Sequence, residues 1–265
     1  WMLALTALAA ALGCEPRAAA PGRDSGRAAS ATVAPGMSSP APRPSAPGPR
    51  VAAAPAGAAS GAPATSAARA LAPLPASELA RLFRDLSEPG ERFLSDNTIS
   101  NETSYLQVAP TLAARPGGGA YVGVGPEQNF TYIALTAPEL AFLVDIRRDN
   151  ALLHLLYRAL FERAGSRAEL VALLLGRPYV AVGDPEATGD VEAVLAHATQ
   201  QAPDPHHQAT VQGAAWSFLT RDLGLPLTEV DRTRLAEIHR TFYLGQLELR
   251  FVLHEPSGRR YPSLR

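Results

Sequence analysis

The stretch Gly117–Ile146, GGGAYVGVGPEQNFTYIALTAPELAFLVDI, decides how the chain is read. Ala120, Tyr121 and Val122 form a short β-prone run that meets Gly123-Val124-Gly125. Glycine at such a corner lets the backbone turn sharply and admits a ligand with no Cβ in the way. Pro126 suits the first helical position, where its missing N–H has no partner to lose. The pattern predicts a helix from Pro126 to about Leu135, stopped by Pro138, then a second strand over Leu140–Ile146. That second run is apolar throughout, as expected of a parallel strand covered on both faces.

Strand, glycine turn, helix and strand make half of a nucleotide-type site. Free N–H groups at the helix start, near Glu127, Gln128 and Asn129, suit an anion or a polar ligand group. Asp145 follows Gly125 by twenty positions, close to the spacing at which an acid meets ribose hydroxyls. The full G-x-G-x-x-G fingerprint needs a third glycine where Gln128 stands. Its loss weakens the case for NAD more than for a smaller adenosine-bearing ligand such as S-adenosylmethionine. The candidate cofactor-binding residues are Gly123, Gly125, Gln128, Asn129 and Asp145. The plainer alternative is a βαβ corner whose glycines only make the turn.

Three segments carry a resemblance: SDNTISNETSYLQV (Ser95–Val108), GVGPEQNFTYIA (Gly123–Ala134) and LVDIRRDNALLHLLYRALFE (Leu143–Glu162). They resemble a family of uncharacterised bacterial proteins with a Rossmann-like, methyltransferase-type core. The resemblance is close from Ser87 to about Pro178 and looser elsewhere, and it brings no established activity with it. It implies a partial parallel sheet, and further strand-and-helix units after Arg265 in a chain truncated at its C-terminus.

The first of these segments crowds Asp96, Asn97, Ser100, Asn101, Glu102, Ser104 and Tyr105 together just before the first strand. In a Rossmann-like domain such a segment folds over a ligand at the strand ends. Asn101, Glu102 and Tyr105, with Arg147 after the second strand, are the candidate substrate-binding residues. The alternative is a hydrogen-bonded loop at the domain edge. His154 sits on an apolar helix without a paired acid, which fits a core histidine bonded to backbone or to Arg158 better than a catalytic base. His206 and His207 beside Asp204 lack metal-ligand spacing, so no metal is expected. No catalytic residue can be assigned.

The chain's 24 basic residues are all arginine, and its formal net charge is −1. Lacking lysine, it has neither a Schiff-base amine nor a Walker-type phosphate loop. Near-neutral charge without a basic run argues against nucleic acid as a partner.

Met2–Leu12 is an apolar Ala/Leu run too short to span a bilayer, ending in Ala11-Leu12-Gly13-Cys14. It resembles a bacterial lipoprotein signal with Cys14 as the lipidated position, which implies a membrane anchor at the cell envelope. Residues 15–75 are nearly all Ala, Pro, Gly, Ser and Arg, with too little bulky apolar surface to offset the entropy of ordering, and are expected to be a disordered tether.

One α/β domain is expected over residues 76–265. Ser77 is its first candidate cap, and Ser166 with Glu169 a capping box. Leu152–Phe161 should be buried on all sides. Asn150 is read as that helix's cap. Later helices are expected near Asp190–Gln200, His207–Asp222 and Thr228–Tyr243, with short strands at Tyr179–Val182 and Leu247–His254. The functional expectation is an exported protein with a cleft for S-adenosylmethionine or another adenosine ligand. The alternative is a cofactor-free envelope lipoprotein that binds a small ligand or a protein partner.

Overall fold

The computed structural model describes residues 2–6, 74–89, 97–101, 104–252 and 261–264. Cys14 and all of the expected tether before Leu74 lie outside the described residues. Three strands, β1 (Met2–Thr6), β2 (Ala120–Val124) and β3 (Leu140–Val144), lie side by side in the order β1-β3-β2. β2 and β3 are parallel in the register Ala120↔Leu140 to Val124↔Val144, whereas β1 runs antiparallel to β3. Helices α1 (Ala76–Asp85) and α2 (Ala109–Ala113) precede β2, and α3 (Gln128–Thr136) joins β2 to β3. After β3 come α4 (Arg148–Arg163), α5 (Arg167–Leu174), α6 (Val191–Ala198), α7 (Pro205–Ser217) and α8 (Glu229–Gly245). The fold is mixed α/β, with helices predominating around a small parallel strand pair.

The strand–helix–strand unit forms where the sequence places it, with α3 starting two residues later than expected. Coverage of the sheet differs from the expectation. Ala141 and Leu143 of β3 are buried, while Leu140, Phe142 and Val144 are only partly so, and Val122 and Val124 of β2 are 67% and 65% exposed. Successive strand residues face opposite sides. One side of the sheet therefore enters the core and the other stays largely open.

α4 is the central element. Leu152, Leu155, Leu156 and Leu160 are fully buried in it, and it packs against β3, α5, α7 and α8. Truncating any one of these leucines to alanine removes transfer energy and leaves a cavity, at a cost of about 2–5 kcal/mol. Two capping arrangements fix the neighbouring helices. Ser166 Oγ accepts from Glu169 N at the start of α5, and Thr228 with Asp231 forms a reciprocal box at the start of α8.

Local signals misplace several other elements. Ser77 does not cap α1, because the helix begins at Ala76 with Pro75 at its cap. Asn150 lies inside α4 rather than at its cap, which is Arg147. Tyr179–Val182 is a loop. Its groups bond to side chains instead of to a strand: Val180 O accepts from His197 Nε2 (2.7 Å), and Tyr179 OH donates to Asp184. At the other expected strand, Gln246–Glu248 is a 3₁₀ turn, and only an isolated bridge between Arg250 and Ser263 forms among the described residues.

Candidate functional site

Two structures meet at the carboxyl ends of β2 and β3: the glycine turn and a polar cleft. In the turn, Gly125 adopts φ +91°, a conformation costly for any residue with a Cβ. Asn129, 1% exposed, reaches back from the first turn of α3. Its Nδ2 donates to the carbonyls of Val124 (3.1 Å), Gly125 (2.9 Å) and Pro126 (2.9 Å), sharing two hydrogens among three acceptors. Its Oδ1 accepts from Tyr121 OH at 2.7 Å. Gln128 Nε2 donates to Val124 O at 3.1 Å.

These side chains occupy the space beside the glycines. A Cβ on Gly123 would collide with Asn129 Oδ1 and lie 2.5 Å from Tyr121 OH; one on Gly125 would lie 2.7 Å from Gln128 Nε2. Beneath the turn, His154 Nε2 donates to Gly125 O at 2.8 Å. Burial is the main cause that lowers the His154 pKa to about 4, against opposing effects from that hydrogen bond and from Asp145. The ring is thus neutral at physiological pH with its proton on Nε2.

The Asp145 carboxylate is engaged locally. Oδ1 accepts from Arg147 N and Oδ2 from Asn150 Nδ2, both at 2.8 Å. This Asx-type turn leads β3 into α4.

Segment 97–101 crosses both strand ends. Ser100 N donates to the Glu127 carboxylate (2.9 and 3.1 Å) above β2, and Arg147 Nη1 donates to Asn97 O (3.0 Å) beyond β3. Burial raises the Glu127 pKa, the Ser100 hydrogen bond only partly opposing it. Asn97 is locked by a twin contact: its Nδ2 donates to Val252 O and its Oδ1 accepts from Val252 N, each at 2.8 Å.

Beside this segment lies a cleft of about 160 Å³. Asn97, Thr98, Arg147, Asp149, Asn150 and Leu153 line one wall, and Arg234, Glu237, Ile238 and Thr241 of α8 line the other. Across it, Arg234 Nη1 donates to both oxygens of Asp149 (2.8 and 2.9 Å). Arg148 points elsewhere, into a two-pronged ion pair with buried Asp231 that ties α4 to α8. A second hollow, of about 360 Å³, lies at the opposite strand ends, and Arg115 alone among its lining residues is charged.

Among the residues singled out from sequence, Gly123, Gly125, Gln128 and Asn129 are brought together in the turn, bonded to one another and to their own backbone. Arg147 enters the cleft, and Asp145 stands behind it at the helix start. Asn101 is exposed and does not line the cleft, Glu102 lies outside the described residues, and Tyr105 opens a 3₁₀ turn (Tyr105–Val108). Arg234 and Glu237 of the α8 wall were not singled out from sequence, because charges spaced along a helix carry no local mark of a cleft.

Residues 97–177 match the model of a domain of unknown function, DUF7790. The matched segment holds the glycine turn, Arg147 and the segment over the strand ends, whereas α8 lies outside it. No curated protein and no solved structure matches the chain. Among the described residues no three His, Cys, Asp or Glu side chains gather as metal ligands, and no helix is long and apolar enough to cross a membrane.

Proposed function

We propose that this chain is a cofactor-free binding protein of Rossmann-like descent that holds a small polar ligand in the cleft between α4 and α8. The observation that carries the reading is the filled space beside Gly123, where Asn129 and Tyr121 stand in place of a ligand. In a nucleotide-binding turn the glycines leave room for the ligand to approach the backbone. Here the protein's own amide and phenol occupy that room, and the Asp145 carboxylate already accepts two hydrogen bonds. The cleft, by contrast, combines apolar walls with convergent charged groups, as small-molecule sites do.

The competing reading is a site for S-adenosylmethionine or another adenosine ligand. It requires Asn129, Tyr121 and Gln128 to swing away from the turn. Titration of S-adenosylhomocysteine into the full chain, beside Asp145→Ala, separates the two. The proposed reading expects no heat from a protein that still melts cooperatively. Micromolar binding that disappears in Asp145→Ala would overturn it in favour of the cofactor site.

A further inference from the structure

The lining of the α4–α8 cleft can be balanced charge by charge. Four ionisable side chains line it: Arg147, Asp149, Arg234 and Glu237. Asp149 and Arg234 neutralise one another through two hydrogen bonds. Among the described residues the Arg147 guanidinium makes one hydrogen bond, to the carbonyl of Asn97, and meets no carboxylate within ion-pair distance. Its remaining donors are unspent, and a guanidinium fork suits a carboxylate. The start of α4, which opens at the cleft, favours negative charge at the same place. On the facing wall the Glu237 carboxylate has no hydrogen bond or ion pair among the described residues. One uncompensated cation and one uncompensated anion thus remain on opposite walls.

A separate observation points to a missing polar partner. Thr98 lines the cleft and is 8% exposed, yet its hydroxyl is buried with no hydrogen-bond partner among the described residues. Buried hydroxyls left unpaired cost about 1–3 kcal/mol, so nearly all of them are satisfied in a working protein.

A closed cavity of about 150 Å³ holds a benzene-sized molecule, so the cleft, at about 160 Å³ and open to solvent, has room within it for about six heavy atoms. Leu153 and Ile238, both buried, supply apolar wall between the charged groups.

We propose that the cleft binds a small zwitterion of the α-amino-acid type, its carboxylate on Arg147 and the start of α4, its ammonium group on Glu237, and its short aliphatic side chain against Leu153 and Ile238. A simple monoanion leaves Glu237 unmatched, and a simple amine leaves Arg147 unmatched. This inference rests on the cleft being the ligand site and specifies what enters it.

The test is calorimetric titration of the full chain with L-alanine, L-serine and L-proline, beside propionate and ethylamine, which each keep one charged end of alanine. At least one amino acid should bind saturably, with propionate and ethylamine about tenfold weaker or worse. Glu237→Gln, on an exposed helix position, should weaken the amino acid about tenfold while leaving propionate unchanged, and Arg147→Gln should weaken both. Propionate binding as tightly as alanine, or an unchanged affinity in Glu237→Gln, overturns the zwitterion assignment. A melting-temperature screen against sugars, polyols and dicarboxylates runs alongside. A hit there that Arg234→Ala abolishes, with no amino acid binding, overturns the zwitterion but keeps the cleft. Silence from every probe overturns both.

Discussion

Oδ1 of Asn129 lies 2.0 Å from the position that a Cβ on Gly123 would take. The glycine is therefore required by the protein's own packing, whether or not any ligand approaches it. Gly123→Ala must displace a side chain whose other end bonds three carbonyls. Overpacking of this kind costs about 1–3 kcal/mol. Asn129→Ala should cost a similar amount, about 1–3 kcal/mol, because it strips the carbonyls of Gly125 and its neighbours of a buried donor. Urea unfolding of both variants measures these losses. An Asn129→Ala protein as stable as the parent would mean the amide is dispensable and the turn free to open.

His154 gives stability a specific pH dependence. Its folded pKa of about 4 lies below the ordinary value of 6.5. Between those two values the unfolded chain binds a proton that the folded one rejects, so stability falls as pH is lowered through this window. The full contribution, about 3 kcal/mol at 1.36 kcal/mol per pH unit, is present above pH ~6.5 and lost by pH ~4. Burial lowers the His239 pKa as well, adding loss in the same direction. His154→Gln keeps a donor for the Gly125 carbonyl but does not titrate, so its stability should depend less steeply on pH than the parent's between pH 4 and 6.5. Equal slopes from parallel urea titrations would remove His154 from the account.

A second acid response should appear lower on the pH scale. Burial pushes the Asp231 pKa up, but hydrogen bonds from Arg148 and Thr228 outweigh it, and the net shift is downward from 3.8. A carboxylate depressed in the folded state contributes stability above its unfolded pKa and loses it as pH falls through the folded value. The contribution is thus complete above pH ~4 and disappears below it. Asp231→Ala removes the two-pronged ion pair with Arg148 and the box at the start of α8. The expected loss is about 3 kcal/mol, at the lower end for breaking such a pair because Arg148 keeps some exposure.

Ala137 should yield a gain. It closes α3 at φ +40°, with its N–H on Ile133 O and its carbonyl accepting from Gly118 N at 2.9 Å. An L-residue held there carries about 1–2 kcal/mol of strain that glycine does not. Ala137→Gly should therefore raise the melting temperature, the helix end being a common glycine position. A lowered melting temperature would show that the entropy of the added glycine outweighs the relief of strain.

How far the sequence could be read depended on the range of the signal. Ser166 with Glu169 marked the start of α5 and Thr228 that of α8, because a cap and its N–H groups lie within four residues of one another, whereas Asp204 before Pro205 caps a helix expected only from His207. Tyr179–Val182 has the composition of a strand and fails to be one, since a strand needs a partner and its groups bond to His197 and Asp184 instead. Val122 and Val124 look like core residues in sequence, yet remain exposed because only one side of the sheet enters the core. The candidate site divides the same way. The glycine turn and Arg147 were visible, whereas the facing wall on α8 was not.

By itself the sequence determined the βαβ unit from Ala120 to Val144 and the buried run of α4. Glycine, proline, caps and apolar spacing act over a few residues, and the chain cannot avoid their consequences. The tertiary structure alone decided what the glycines are for and where a ligand has room. Asn129 turns back onto Gly123 only once α3 packs under the strand ends, and Glu237 reaches the cleft beside Arg147 only because α8 lies against α4. The α4–α8 contacts join groups far apart along the chain. They are set by close packing of a shared core, which no local pattern encodes.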